Sequence, residues 1–418
     1  MMFRTSMAAL ALTALLVIAP TTGASAFSDA YETPPEQDPV TVLGAEASGP
    51  DYRVLAPVRS DGFLRIYDLE SFYGTETISG DGLLKLRLKQ LEILRALEAL
   101  ENNQTFVDGL KQAAMKPVEF VESTVTDPLG TAKNTVSGVG RLFGRIGKGV
   151  GSAVSGEGSP AEFAKAITGQ ERAKRELAVD LGVDPYTKFK PLSEQLDQAA
   201  NVSMAGGWTV KAVMALIPGG MISNIASSAD DLRNSIVDST LAELEERTRE
   251  TLLKVGATPD VVTRLSQNTN FTPTERAIIA YRLDFMTGVE GRDILAARAA
   301  DAQTRDEAYF QLRRIVLLES YHNKTASLGR VRLVGGYPVG IRKDGIAAII
   351  MPLDMVSWTQ TSAQAFNSLN TGFQQLPFPP SGVDFVVTGD LTPLTAERLA
   401  SFGWDLTSNW PMPEGPVK

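Results

Sequence analysis

The spacing of apolar residues changes near Leu328 in this 418-residue chain, and that change limits what it can build. From Leu83 to about Tyr321 the apolar positions recur by threes and fours, the period of helices that bury one face. After Leu328 they alternate or fall in short runs, the pattern of strands. The expected fold is therefore mainly α with a C-terminal α/β unit, α+β overall. An N-terminal β-hairpin comes first, then helices, then a small mixed sheet with two helices.

Within that frame the elements can be placed. Gly62 to Glu70 and Tyr73 to Ser79 read as a hairpin turning at Ser71 and Phe72. Leu84, Leu88, Leu91, Leu94 and Leu97 lie on one face of a helix from Leu83 to Leu100, and Glu162 to Leu181 is a second helix. Leu241 to Lys254 is a third, with Glu243 and Arg247, Glu245 and Arg249, and Glu250 and Lys254 spaced to pair at i,i+4. Thr272-Pro273-Thr274-Glu275 is a capping box with proline at the first helical position, and helix continues to about Tyr321. Strands are expected over Val331 to Tyr337, Val339 to Arg342, Ile346 to Met351 and Val383 to Thr388, with a last short one at Trp404. Helices are expected near Leu353 to Leu369 and after Thr392-Pro393.

The first 26 residues have the form of a secretory leader: Arg4, an apolar run from Ala8 to Ala19, then Ala24-Ser25-Ala26. The run is too short for a membrane span. With no cysteine in the chain, neither a lipid anchor at cysteine nor a disulfide can form. Residues 27–50, rich in Pro, Glu, Asp and Ala, are expected to be a disordered linker, followed by a helical region over 51–328 and the α/β unit over 329–418. Losing Arg4 with the leader takes the formal charge from −9 to −10, which argues against nucleic acid as a partner.

Two segments stand apart. Leu129 to Gly156 carries Lys133, Arg141, Arg145 and Lys148 and no acid. As a helix it shows three stripes: small residues at Gly140, Gly144, Gly147 and Gly151, apolar ones at Val139, Phe143, Ile146 and Val150, and cations at Arg141, Arg145 and Lys148. Each interior glycine costs roughly 1 kcal/mol against alanine, so the segment needs a surface to fold on. An anionic membrane would serve, and so would another helix crossing closely at the glycines. Gln198 to Ala229 holds one charge, Lys211, and is broken by Pro218-Gly219-Gly220 into two apolar arms. Lys211 weighs against a membrane span, and a buried helical hairpin is expected.

Chemistry is sparse. There is no cysteine nucleophile, no Gly-x-Ser-x-Gly elbow, no phosphate loop and no dinucleotide fingerprint, and the common zinc and haem sites lack ligands, so no cofactor and no metal are expected. The single histidine, His322, is expected at the surface near a helix C-terminus, with a role as general base or pH-sensitive contact as the alternative. Asp384, Asp390 and Asp405 are acids that strand ends could bring together for glycoside hydrolysis, and the Gly389-Asp390 loop could seat an anion at the following helix. No catalytic residue is assigned. The expected function is an exported, non-catalytic envelope protein. It would bind an anionic membrane surface, a lipid or another envelope protein through the basic glycine-rich segment and the apolar hairpin. A periplasmic hydrolase using carboxylates of the C-terminal unit, or a structural subunit that assembles as a homo-oligomer, are the alternatives.

Overall fold

In the computed structural model, residues 31–101, 160–204, 213, 216 and 230–413 are described. The fold is α+β. Four strands open it in the order β1 (Ser48–Gly49), β2 (Tyr52–Ser60), β3 (Arg65–Ser71) and β4 (Gly74–Ser79), each antiparallel to its neighbour. The expected hairpin is β3–β4, with Phe72 and Tyr73 at its turn. Strand β2 was not foreseen. Its alternation is weak because Arg53, Pro57 and Arg59 interrupt it, and only Val54 and Val58 are buried.

The segment expected to be a disordered linker is built into the structure from Tyr31 onward. Asp38 caps a short helix α1 (Pro39–Leu43) by accepting the Thr41 N–H, and a 3-10 turn at Gly44–Ala47 leads into β1. Too polar to form a core, this stretch is held by pairing with distant chain: Gln37 exchanges both backbone hydrogen bonds with Val58, and the Glu32 N–H donates to the Trp358 carbonyl at 3.0 Å.

Helix α2 (Asp81–Glu101) buries its leucine stripe against two partners. Leu84, Leu88 and Leu91 pack on Tyr67, Leu69 and Ile78 of the sheet. Leu94 and Leu97 pack on α3 (Pro160–Asp180) and α4 (Lys190–Met204), through Leu177, Leu192 and Leu196. The glycine-striped segment lies outside the described residues, as does most of the apolar hairpin. Of the latter, the end of α4, a buried Val213 and an exposed Leu216 are described.

The largest core is helical. It gathers α5 (Asp230–Asp238), α6 (Leu241–Lys254), α7 (Pro259–Gln267), α8 (Pro273–Phe285), α9 (Asp293–Ala300) and α10 (Arg305–Lys324). The Thr272 capping box forms as its spacing predicts, and Thr240 forms another at the start of α6. The i,i+4 pairs expected on α6 are replaced: Glu243 turns back to Thr240, Glu245 pairs with Arg276 at 2.9 Å, Arg249 with Glu246 at 2.5 Å, and Lys254 with Asp284 at 2.9 Å. Surface i,i+4 pairs contribute only tenths of a kcal/mol, so a cap or a half-buried partner easily displaces them.

The C-terminal sheet has the order β11-β9-β7-β6-β5, from β5 (Leu328–Val334), β6 (Tyr337–Arg342), β7 (Ala347–Met351), β9 (Val383–Val387) and β11 (Trp404–Thr407). The first expected strand, Val331 to Tyr337, is in fact the end of β5 plus a Gly335-Gly336 turn, both glycines at positive φ, the requirement of a two-residue hairpin. Strands β7, β9 and β11 are parallel, and helices α11 (Gln360–Gln374) and α12 (Pro393–Ser401) supply the two crossovers. Helix α11 begins later than the Leu353 expected, because Met355–Val356 form a strand, β8, paired with β10 (Asp390–Leu391). Strand β7 is apolar at successive positions because both faces are covered: Ala348 and Ile350 join the helical core, Ala347 and Ile349 the core under α11.

One buried carboxylate joins the two sheets. Asp354 Oδ2 accepts the N–H groups of Arg65 and Asp81, each at 3.0 Å. Asp81 in turn pairs with Arg65 at 2.7 Å and accepts the Tyr67 hydroxyl at 2.6 Å. Burial, and then the neighbouring Asp81 charge, push the Asp354 carboxyl up to about 8. Backbone bonds from Asp354 and Met355 to Phe63, and from Ser357 to Gly62, continue the seam and fix the β2–β3 loop against the C-terminal unit.

Candidate functional site

That seam sets one wall of a cavity of about 370 Å³, enclosed by the β2–β3 loop, α10, α11 and the C-terminal sheet. The loop is shaped locally: Asp61 Oδ1 accepts the N–H groups of Phe63 and Leu64 at 2.8 Å, and Gly62 has a positive φ. This delivers Phe63 to an edge-on contact with Phe366 of α11, ring centroids 6.1 Å apart. Opposite, α10 presents Asp306, Phe310 and Arg314, spaced four apart and so on one helical face. Leu369, Met351, Leu353 and Phe385 complete an apolar lining.

Arg314 is the exception in that lining. It is 5% exposed, and its Nη2 donates to the Pro338 carbonyl, while its Nε has no partner. It forms no ion pair among the described residues. Burial, then the nearby Arg298, lower its pKa to about 10, so it stays cationic at neutral pH. Three acids share the cavity: Asp61, exposed and bound to the N–H groups of its own loop, and Asp306 and Glu307 at the start of α10. Asp306 is two turns away, about 12 Å along the axis. Glu307 is committed to the helix start, accepting the Gln303 N–H at 2.7 Å. No local signal marked Arg314: by spacing it is one more residue of an amphipathic helix, and its isolation depends on a loop and a strand far off in sequence.

A second, polar cavity of about 200 Å³ lies between α2, the Gly182–Phe189 loop and the starts of α8 and α10. Four carboxylates line it, Glu76, Asp184, Glu275 and Asp306, and Glu76 is paired with Arg87 at 2.5 Å. Glu275 is gripped by both terminal nitrogens of Arg305, each at 2.6 Å, and accepts the Thr272 N–H at 2.9 Å. Asp184 accepts the Tyr186 N–H at 2.8 Å and the Thr272 hydroxyl at 2.5 Å, and is raised by burial and by Glu275. The Leu181-to-Thr187 turn thus ties α3 to the capping box of α8. With Glu76 and Glu275 held as counterions and Asp184 bound to the Tyr186 N–H and the Thr272 hydroxyl, the cavity reads as a joint.

The residues singled out from sequence are dispersed. Arg141, Arg145, Lys148, Val139, Phe143, Ile146, Val150, Gly140, Gly144, Gly147 and Gly151 lie outside the described residues. His322 is buried rather than at the surface: its Nδ1 accepts the Leu328 N–H at 2.9 Å where α10 turns into β5, and burial followed by Lys343 lowers its pKa. Asp384 and Asp405 are directly opposite on β9 and β11, but Asp384 is paired with Arg342 at 2.6 Å and Asp405 is exposed. Asp390 accepts the Asn409 amide at 2.8 Å. None of the three lines either cavity. The start of α12, where the Gly389-Asp390 loop could seat an anion, is taken by the chain's own Glu32, whose Oε1 accepts the Thr392 hydroxyl and, at 2.5 Å, the Trp358 N–H.

Among the described residues no three acids or histidines are grouped to hold a metal ion, and no helix is long and apolar enough to cross a membrane. The chain matches no protein-family model, no curated protein and no solved structure.

Proposed function

We propose that this is an exported, non-catalytic binding protein of the cell envelope that holds an apolar ligand between α10, α11 and the β2–β3 loop. One observation carries the reading: a cavity of about 370 Å³ whose wall surface is mostly apolar, with Phe63, Phe310, Phe366, Leu369 and Met351 among its residues, within the size range of small-molecule sites. Binding is favoured over hydrolysis because Asp61, Glu76, Asp184, Glu275 and Glu307, around the two cavities, serve as turn residues, caps or counterions. In this reading residues 1–26 are the export leader, and the basic glycine-rich segment brings the protein to an anionic membrane surface or to another envelope protein.

The test is titration of the mature chain with a neutral apolar fluorophore, N-phenyl-1-naphthylamine. Saturable binding at one site is expected, lost in an Ala365→Trp variant that fills the cavity while near-ultraviolet circular dichroism is unchanged. A wild-type chain that fails to bind, or a variant that binds equally well, refutes it. Flotation with anionic and neutral vesicles, comparing wild type with a variant carrying Gln at Arg141, Arg145 and Lys148, tests the membrane contact separately. Salt-sensitive flotation lost in the variant supports it, and no flotation at low salt rejects it.

A further inference from the structure

A wholly apolar ligand would leave the cavity's one buried cation unanswered. An arginine withdrawn from water without a carboxylate partner is costly, and the fold spends only one of its five N–H donors on a carbonyl, at Pro338. The charge that acts on it is a second cation, Arg298, exposed at the rim of the same cavity. Two guanidinium groups therefore line the chamber, and the buried one, Arg314, is ion-paired with none of the described acids. Asp306 and Glu307 sit at the opposite end of α10, where an anionic group would be repelled. The chamber is thus polarised along one helix, cationic toward Arg314 and anionic toward the helix start, with Phe310 between.

From this we propose that the ligand is a single-chain anionic amphiphile, its acyl chain lying along Phe310, Phe366 and Leu369 and its carboxylate or phosphate head taken by Arg314. The proposal rests on the cavity reading above and adds the ligand's charge and orientation. A planar fork of donors suits a carboxylate or phosphate oxygen pair, and the pairing would be made away from water, where it is strongest. Arg298 at the rim would draw the anion in and contribute less once it is bound.

The experiment is displacement of N-phenyl-1-naphthylamine at pH 8 by four ligands of equal chain length: decanoate, decyl phosphate, decanol and decyltrimethylammonium. The two anions are expected to bind about tenfold or more tighter than decanol, the size of one charge-assisted contact, and the cation weakest. The carboxylate and phosphate arms identify which head is preferred. In Arg314→Met, decanol should bind as before and the anions should fall to its level. Should that variant fail to fold, Arg298→Gln should still weaken the anions about twofold to threefold and leave decanol unchanged, in line with a rim charge. Equal affinity of decanoate and decanol in the wild type overturns the proposal while leaving the cavity reading intact. Failure of every ligand, the fluorophore included, overturns both.

Discussion

Asp354 offers a test in which pH and mutation must agree. Its carboxylate is buried at the seam between the sheets and accepts two main-chain N–H groups through one oxygen. Burial and Asp81 raise it from 3.8 to about 8. Between those values the folded chain keeps a proton that the unfolded chain has released. Folding stability is therefore fullest below about pH 4, falls as pH rises through the window, and levels off above about 8. At about 1.4 kcal/mol per pH unit, the span from pH 5.5 to 8 is worth up to about 3 kcal/mol. Asp354→Asn keeps the accepting oxygen and removes the charge. It should lie within about 1 kcal/mol of wild type at pH 5.5 and be more stable by roughly 2–3 kcal/mol at pH 8.5. Asp354→Ala strands both N–H donors at about 1–3 kcal/mol each, so it should lose about 2–6 kcal/mol at every pH. The assay is urea unfolding followed by tryptophan fluorescence, to which Trp358, Trp404 and Trp410 of the C-terminal unit contribute. Parallel pH curves for wild type and Asp354→Asn would show that the proton is not on Asp354, and a harmless Asp354→Ala would show that the two bonds do not hold the seam.

Other sites give shorter tests. Arg305→Ala, which leaves Glu275 buried with only its cap donor, should cost about 3–5 kcal/mol by urea unfolding, and a loss below 1 kcal/mol would place the pair on the solvated surface instead. His322 has a lowered pKa, so its contribution is complete above about 6.5 and is lost as pH falls toward the folded value. In His322→Asn, which keeps an acceptor for Leu328, stability measured at pH 5 and 7 should change less than in wild type. Gly335→Ala would place a methyl 2.3 Å from the Ser368 carbonyl oxygen at a φ of +56°, and a loss of roughly 2 kcal/mol or more in thermal or urea unfolding is expected from clash and backbone strain together.

What could be read in advance was what is decided within a few residues. The Thr272 box, the leucine stripe of α2, the continuous run of β7 and the Thr392-Pro393 start of α12 each state their structure locally, and each forms. The failures share a cause in distant partners. Residues 31–50 look unable to fold because their own composition supplies no core; Val58, Trp358 and Thr392 supply the pairing. His322 looked superficial because nothing near it showed that the Leu328 N–H would close over its ring. Arg314 was invisible as a site because the α10 pattern gives its face but not what lies across from it. The site proposed here is therefore the least legible part of the chain, since its walls come from a loop near residue 62, a helix near 310 and another near 366.

The bonds from Arg65 to Asp354 and from Glu32 to Thr392 bridge separations of 289 and 360 residues. A polypeptide made from its N-terminus exposes the first strands long before the residues that complete them exist. The earliest part of this protein must wait, unfinished, for almost the whole remainder, and closing so wide a loop is slow. A chain arrested before Leu353 should therefore present β2, the β2–β3 loop and Glu32 to any protease or holding chaperone in its surroundings, however well its helices have already assembled.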